Sequence, residues 1–268
     1  MTTLTPSQKQ QFIEEGYLVV PNLLPAELVE ETRRNLCASM EIDPNDTATW
    51  AGKASFPADL NVIATTAIAR TPEFESVVEQ LVGEGFLRVV CFSPFLEWNN
   101  LPPECTGYIP VLTYPTDGEK QIAPTSFHID GGKYVTTYPE RYLLAVMAYL
   151  SDVTEYGGAT VVRPGSHRQV FERWLAEGHQ PESPFAIVPP LEFSDPVPIV
   201  AKAGDVCFMH YLMVHSGSLN YESTLRIGMN TAVQPDDKRP YLPKAGEPQP
   251  DWTPMDYTLR TDTLETTR

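Results

Sequence analysis

From about residue 86 onward, the chain is a succession of short apolar or alternating runs separated by glycine, proline and aspartate. The runs read FLRVVCFSPF, YIPVLTYP, TSFHID, YLLAVMAYLSDV, GATVVRPGS, VPIVAKAGDVCFMHY and LRIGMNTAV. Many short strands with frequent turns are typical of a sandwich or barrel, and not of βαβ units. We therefore expect a mainly β fold with an antiparallel core over about 86–233.

The first 85 residues have a different pattern, in which apolar residues recur at helical spacing. Helices are predicted over 5–15 with Thr5 as the N-cap, over PAELVEETRRNLCASM, and over 71–82 with Thr71 as the N-cap. The short run GYLVV between the first two helices predicts a strand. These helices are expected to pack against the outside of the β core.

A chain of 268 residues is long enough for one large domain. We expect a single domain over 1–268, with a helical region at about 1–85, the β core at about 86–233 and an extended tail over 234–268. The tail is rich in proline and charge, so it is expected to lie over the core or over a partner subunit of a homodimer.

The net charge of −16 argues against a nucleic-acid partner and against an anionic membrane surface. An anionic small ligand would need a local cationic group in this acidic chain. The start, MTTLTPSQKQQFIEEG, lacks a secretory pattern and no apolar run is long enough for a bilayer, so a cytoplasmic protein is expected. The four cysteines form no C-x-x-C pair, which argues against a zinc cluster and a disulfide framework.

The stretch SFHIDGG places His128 and Asp130 two residues apart on a predicted strand. Side chains at i and i+2 point to the same face, so the two would converge inside a barrel. An imidazole and a carboxylate suit a divalent iron, manganese or zinc ion. Two ligands are too few, and a third must come from elsewhere.

Four other histidines are candidates for the third ligand. His179 lies in a polar stretch typical of a solvated loop, and His167 follows a turn, where a structural role is expected. His210 and His215 both lie in GDVCFMHYLMVHSG, and the pattern alone does not decide between them.

The run LRIGMNTAV places Arg226, Gly228 and Asn230 on one face of a predicted core strand. A buried arginine is unfavourable unless it meets an anion. Either a core carboxylate pairs with Arg226, or Arg226 binds the carboxylate of a ligand. The second reading would supply the cationic group that the acidic chain needs.

The order His128-x-Asp130, then His215, then Arg226 eleven positions later resembles the iron(II)- and 2-oxoglutarate-dependent dioxygenases. More narrowly, the chain is similar to the phytanoyl-CoA hydroxylase (PhyH) family. The segments that resemble this family are FIEEGYLVVPNLLPAELVEETR, YLSDVTEYGGATVVRPGSHR and GDVCFMHYLMVHSGSLN. The last segment carries the distal histidine of the family, and this selects His215 over His210.

The resemblance implies a double-stranded β-helix (a jelly-roll, cupin-like core) with flanking helices. It implies that His128, Asp130 and His215 bind Fe(II), that Arg226 binds the distal carboxylate of 2-oxoglutarate, and that O2 is the second cosubstrate. These four residues form the implied catalytic set. The implied activity is that of a hydroxylase, which abstracts hydrogen from a substrate C–H and releases succinate and CO2.

Two details of the motif bear on this expectation. Many members of the family have serine two residues after the distal histidine, whereas this chain has glycine there with a serine on either side. The candidate hydroxyl groups for 2-oxoglutarate are those of Thr125, Tyr114, Thr160 and Ser216. Halogenating relatives replace the metal-binding carboxylate by a small residue, so Asp130 argues against halogenation.

Aromatic residues near predicted strand ends and loops are candidates for a substrate pocket, namely Trp98, Tyr108, Phe127 and Tyr134. The segment GGKYVTTYPERY, directly after Asp130, is a candidate lid, and 172–198 is a candidate wall. The expected substrate is a small molecule, neutral or cationic, of specialised biosynthesis.

Three alternatives remain open from the sequence. Desaturation, cyclisation and epimerisation begin with the same hydrogen abstraction as hydroxylation. The chain could also be a catalytically silent jelly-roll protein that binds a metal or ligand, although the complete triad and Arg226 argue against this. A zinc hydrolase on a similar barrel would lack an obvious general base and would leave Arg226 unexplained.

Overall fold

A computed structural model of the chain describes residues 2–55, 71–82, 88–90, 109–130, 144–177, 188 and 190–234. The helices in this part of the chain are α1 (Pro6–Glu15), α2 (Ala26–Met40), α3 (Pro72–Val82) and α4 (Ser166–Glu177). The strands are β1 (Tyr17–Val20), β2 (Arg88–Val90), β3 (Ile109–Thr113), β4 (Leu144–Tyr149), β5 (Val161–Val162), β6 (Val197–Pro198), β7 (Val206–His210), β8 (His215–Ser216) and β9 (Arg226–Gln234).

The first three helices begin where the sequence predicts. The Thr5 hydroxyl accepts a hydrogen bond from the Gln8 amide, and the Gln8 side chain accepts one from the Thr5 amide, which completes a capping box. Thr71 caps α3 by accepting from the Phe74 amide at 3.2 Å. Helix α4 was not predicted; it begins directly after the Pro-Gly turn of RPGSH.

The larger sheet has the strand order β1-β7-β4-β9-β2, and β3 pairs with β9 as well. All of these pairings are antiparallel. Strand β1 pairs with β7 from Tyr17↔Met209 to Val20↔Val206, so the mostly helical N-terminal region also contributes a strand to the core. The sheet therefore joins segments that are far apart in sequence.

One face of the larger sheet is covered by the N-terminal helices, as predicted. The ring of Phe74 on α3 packs against Phe208 on β7 with centroids 5.5 Å apart, and Phe12 on α1 packs against His210 at 6.5 Å. All four side chains are buried. This is the apolar layer that holds the helices to the outside of the barrel.

The smaller sheet has the order β6-β5-β8, and it is extended beyond β8 by the bridges His128↔His215 and Pro124↔Ser218. Together with the larger sheet it forms the expected jelly-roll core, so the predicted fold class is confirmed. Within the described ranges, no helix has both the length and the apolar character needed to span a membrane. The division of the chain into one domain with an extended tail stays a prediction.

Candidate active site

Two histidines meet where the segment 124–128 pairs with β8. The His128 amide donates to the His215 carbonyl at 2.9 Å, and the His215 amide donates to the His128 carbonyl at 3.0 Å. The two imidazole rings lie on the same side of this bridge, with centroids 4.5 Å apart. The pairing of two short segments therefore brings together side chains that are 87 positions apart in sequence (215 − 128).

Both imidazoles are oriented by backbone carbonyl groups. The Nδ1 atom of His128 lies 2.9 Å from the Ser126 carbonyl oxygen, and the Nδ1 atom of His215 lies 3.0 Å from that of Met213. A carbonyl only accepts, so each Nδ1 carries the proton in the neutral ring. Each Nε2 is left with its lone pair available for a metal ion.

The Asp130 carboxylate lies between the two Nε2 atoms. Its Oδ1 is 3.4 Å from His128 Nε2, and its Oδ2 is 3.5 Å from His215 Nε2. Ligand atoms of all three side chains lie within 4.8 Å of one another. Burial opposes ionisation of Asp130, but the two imidazoles outweigh it and hold the pKa of this carboxyl well below its usual value.

The pKa of His128 responds to the same contact. Burial disfavours its charged form, yet the Asp130 carboxylate and the Ser126 carbonyl raise its pKa above the ordinary value of 6.5. The carboxylate is thus ionised and faces two imidazoles. Two nitrogen ligands and one carboxylate oxygen are the ligand set that iron(II), manganese(II) and zinc(II) accept, so these residues fit a divalent metal ion.

A buried arginine lies in the same barrel, at the start of β9. Arg226 is 3% exposed, and burial lowers the pKa of its guanidinium. Its Nη1 and Nη2 atoms contact the hydroxyls of Thr113 at 3.4 Å and Thr160 at 3.3 Å, while its Nε has no hydrogen-bond partner among the described residues. In the same part of the chain no carboxylate pairs with Arg226, which leaves a buried cation that fits an anionic ligand.

The arginine pocket and the metal ligands belong to adjacent segments. Thr160 directly precedes β5, and Val162 on β5 pairs with His215 on β8. Two residues of a strand span about 7 Å, so Arg226 is anchored close to the strand that carries the distal histidine.

Of the predicted 2-oxoglutarate residues, the structure brings Thr160 to Arg226 and does not bring Thr125, Ser216 or Tyr114 there. The Ser216 hydroxyl accepts from the Ser126 amide at 3.0 Å and donates to the Gly217 carbonyl at 2.6 Å, and Thr125 donates to the same carbonyl at 3.2 Å. These bonds hold the His128 segment to β8.

Tyr114 lies on the other side of the larger sheet from Arg226. Thr113 pairs with Arg226 in register, so the next residue along the chain points to the opposite face. The ring of Tyr114 packs near Trp50, with centroids 6.1 Å apart. Its hydroxyl therefore faces the helical layer.

One predicted pocket aromatic can be placed. The ring of Phe127 lies under the guanidinium of Arg163, with Arg163 Cζ 4.4 Å from the ring centroid. Its role in a substrate pocket stays a prediction. Trp98, Tyr108 and Tyr134 lie outside the described residues, as do the candidate lid after Asp130 and much of the candidate wall.

The remaining histidines lie apart from the metal ligands or outside the described residues. His167 is buried, and its Nε2 lies 3.2 Å from the Ile13 carbonyl, in keeping with the expected structural role. His210 packs against His167 with ring centroids 4.9 Å apart, and its Nδ1 accepts from the Leu212 amide. His179 is not among the described residues.

The sequence did not single out three residues around Arg226. Thr113 contacts the guanidinium, and the buried ring of Tyr149 has its centroid 5.7 Å from Arg226 Cζ. Asn220 holds the Thr113 segment in place, because its Nδ2 donates to the Thr113 carbonyl at 2.9 Å and to the Thr224 carbonyl at 2.8 Å. The alternation in YIPVLTYP and YLLAVMAYL shows which residues share a face, but not which strands are neighbours.

Comparison with solved structures finds the same fold in several enzymes. SnoN, an epimerase solved with Fe3+, α-ketoglutarate and nogalamycin RO, has a TM-score of 0.57 at 19% identity, over 91% of this chain and 93% of its own. HygX from Streptomyces hygroscopicus, solved with nickel and 2-oxoglutarate, has a TM-score of 0.54 at 15% identity, over 88% of each chain. EvdO2 from Micromonospora carbonacea var. aurantiaca, complexed with 2-oxoglutarate, has a TM-score of 0.55 at 14% identity, over 93% of this chain and 96% of its own.

A comparison with curated proteins finds no match. The sequence profile of the family described as phytanoyl-CoA dioxygenase (PhyH) matches residues 12–227. This match spans most of the chain and includes the three clustered ligands and Arg226. The chain therefore belongs to the phytanoyl-CoA dioxygenase (PhyH) family.

Proposed function

We propose that the chain is a non-haem Fe(II)- and 2-oxoglutarate-dependent oxygenase that oxidises a small-molecule metabolite by abstracting hydrogen from a C–H bond. One observation carries the proposal. A three-residue metal site and a buried arginine with no carboxylate partner among the described residues lie on adjacent segments of one barrel. A metal-ligand site alone would also suit other reactions. The buried charge of the arginine, unpaired within the described ranges, favours an anionic ligand, and this favours a cosubstrate that carries a carboxylate.

The proposed ligands are His128, Asp130 and His215, and Arg226 is the proposed partner of the distal carboxylate of 2-oxoglutarate. Two imidazoles and one carboxylate would hold Fe(II) and leave room for a chelating cosubstrate, as this ligand set does in iron(II) oxygenases. When bound, iron and 2-oxoglutarate supply the activation of O2, with succinate and CO2 as products.

The side chains of this chain contribute placement and charge. The carbonyls of Ser126 and Met213 hold both imidazoles in the tautomer that presents Nε2. The hydroxyls of Thr113 and Thr160 contact the guanidinium of Arg226, which is buried. A carboxylate bound there would be desolvated and paired with the guanidinium, which would orient the rest of the cosubstrate.

Hydroxylation is the proposed outcome, and desaturation, cyclisation and epimerisation share its first step. SnoN, whose fold the chain shares, is an epimerase. The small-molecule substrate is proposed to be neutral or cationic, because a net charge of −16 disfavours a highly anionic one. The presence of Asp130 argues against halogenation.

Anaerobic titration tests the proposal. We expect Fe(II) and 2-oxoglutarate together to give a weak visible charge-transfer band with the protein, and admission of O2 to give succinate. Arg226→Ala should lose the band at 2-oxoglutarate concentrations that saturate the wild type. Arg33→Ala is the matched control, since Arg33 is partly exposed and pairs with Glu30 within α2.

Each result separates the alternatives. Absence of both the band and succinate, with Arg226→Ala behaving like the wild type, would refute the oxygenase. A band without succinate at any oxygen concentration would favour the silent binding protein. Hydrolysis with zinc, independent of 2-oxoglutarate, would favour the hydrolase.

A further inference from the structure

A buried tyrosine hydroxyl lies beside the side chains of Thr160 and Arg226, and it forms no hydrogen bond of good geometry with the described residues. Tyr149 ends β4 and is 0% exposed. It pairs in register with Gly228 on β9, so it shares the inner face of the sheet with Arg226. The guanidinium carbon of Arg226 lies 5.7 Å from the centroid of its ring.

The position of this ring is fixed by the backbone on both sides. The Tyr149 amide donates to the Asp205 carbonyl at 3.0 Å, and its carbonyl accepts from the Gly204 amide at 2.8 Å. Gly228 has no side chain to separate the ring from the guanidinium; a Cβ there would stand 3.2 Å from Arg226 Nη2. Tyr149 and Arg226 therefore border one common space.

Packing alone does not explain the hydroxyl. A buried hydroxyl without a partner costs free energy, and phenylalanine would fill the same volume without that cost. A second buried donor, Arg226 Nε, also has no partner within the described ranges. The Thr160 hydroxyl is within reach of Tyr149 but already accepts from Arg226 Nη2 at 3.3 Å, so the two donors still call for an acceptor that binds there.

The charge state of the group suits an anion. Burial raises the pKa of Tyr149 above its usual value, and the Arg226 charge together with contacts to the Thr160 and Arg226 side chains offsets only part of this increase. The phenol is therefore protonated at neutral pH and is a donor to a carboxylate. The Ser216 hydroxyl is already occupied by the Ser126 amide and the Gly217 carbonyl, so it leaves this task to other groups.

We propose that Tyr149 donates a hydrogen bond to the distal carboxylate of 2-oxoglutarate beside Arg226, and that it thereby selects a dicarboxylate over a monocarboxylic 2-oxo acid. This inference rests on the proposed function. It assigns a binding role to a residue of β4, a strand that carries none of the four residues expected to act in catalysis.

The test is Tyr149→Phe, which removes the hydroxyl and keeps the ring. With Fe(II)-loaded protein in the absence of O2, the visible band gives the dissociation constants of 2-oxoglutarate and of 2-oxopentanoate, in which a methyl group replaces the distal carboxylate. We expect Tyr149→Phe to weaken 2-oxoglutarate binding about tenfold or more, the usual loss for a hydrogen bond to a charged group. Binding of 2-oxopentanoate should not change.

Tyr114→Phe is the matched control. The Tyr114 hydroxyl is also buried and lacks a partner among the described residues, but it lies on the opposite face, near Trp50. Its removal should leave the affinity for both acids unchanged. In turnover, Tyr149→Phe should raise the KM for 2-oxoglutarate while kcat at saturation stays within about twofold, the pattern of a residue that binds ground and transition states alike.

Three results would overturn the inference or its basis. Equal 2-oxoglutarate affinity of Tyr149→Phe and wild type would refute the role of Tyr149 alone. An equal loss for both acids would show a structural effect and refute it as well. A wild type that binds no 2-oxoglutarate would instead refute the proposed function. Because 2-oxopentanoate needs an intact metal site, its binding also reports that the variant is folded.

Discussion

At the scale of single residues, the arrangement of Asp130 between two Nε2 atoms leads to the first prediction. Asp130→Ala removes one of three ligands, and we expect it to abolish succinate formation and to weaken Fe(II) binding by more than about 100-fold, the upper end of what loss of a supporting contact causes. Asp152→Ala is the control, because this exposed carboxylate pairs with Lys202 at the surface. Iron titration and succinate assay are the measurements; persistent turnover of the alanine variant would show that Asp130 is not a ligand.

Gly228 gives a second prediction at this scale. A Cβ at this position would stand 3.0 Å from Met147 Sδ and 3.2 Å from Arg226 Nη2, which is closer than ordinary packing. Gly228→Ala is therefore expected to displace the guanidinium and to weaken 2-oxoglutarate binding about tenfold. In Gly217→Ala the nearest atom, Thr125 Oγ1, is 3.8 Å away, so this control should bind normally. Calorimetric titration with Mn(II)-loaded protein compares the two, and equal affinities would contradict the prediction.

The role of a single residue could be predicted from the sequence when its contacts are close to it in the chain. The i, i+2 spacing placed His128 and Asp130 on one face without knowledge of the fold. The choice of His215 over His210 needed the family resemblance, because the turn that separates their directions cannot be read from GDVCFMHYLMVHSG. Tyr149 and Thr113 were not singled out, since their contact with Arg226 depends on the register of three strands.

At the scale of elements, local signals predicted the helices that have their own caps and missed the one that depends on context. Helices α1 and α3 begin at a threonine whose hydroxyl accepts from the amide three residues on. Helix α4 follows a turn that packs against the end of α1, where the Gly165 amide donates to the Glu15 carbonyl. The order of the strands also depends on long-range packing, so the sequence predicted strands but not their neighbours.

Helix α1 provides a third prediction because its two ends are stabilised differently. Thr5→Ala removes the N-cap and should lower the free energy of unfolding by about 1 kcal/mol. Gly16, at the other end, has φ +79°, and a Cβ there would stand 2.7 Å from Met213 Cε and closer still to the ring of His167. Gly16→Ala should therefore destabilise the protein more than Thr5→Ala does.

Urea unfolding followed by fluorescence measures both effects on α1. Thr3→Ala is the control, since Thr3 is exposed and should change stability by no more than about 0.5 kcal/mol. If Gly16→Ala were as stable as Thr3→Ala, the close packing of the α1 end against His167 and Met213 would be wrong.

At the scale of the whole molecule, the N-terminal region and the barrel are joined by a buried cluster that is separate from the metal ligands. It consists of Phe12 on α1, His167 on α4 and His210 at the end of β7. The His210 amide also donates to the Gly16 carbonyl at 2.8 Å. Because this cluster connects three elements, the protonation state of His210 affects the stability of the entire fold.

The last prediction concerns acid stability. Burial, followed by the nearby His167 and Arg168, lowers the pKa of His210 well below its usual 6.5. Below about pH 6.5 the unfolded state therefore takes up a proton that the folded state does not. As the pH is lowered in this range, the free energy of unfolding decreases by up to about 1.4 kcal/mol per pH unit. His210→Asn keeps an acceptor for the Leu212 amide but does not titrate. We measure the free energy of unfolding in urea from pH 7.5 to 5. The value for His210→Asn should decrease less steeply than that of the wild type. Effects linked to the metal ligands are common to both proteins and cancel in the difference. Parallel pH profiles would mean that His210 is protonated in the folded state as readily as in the unfolded one.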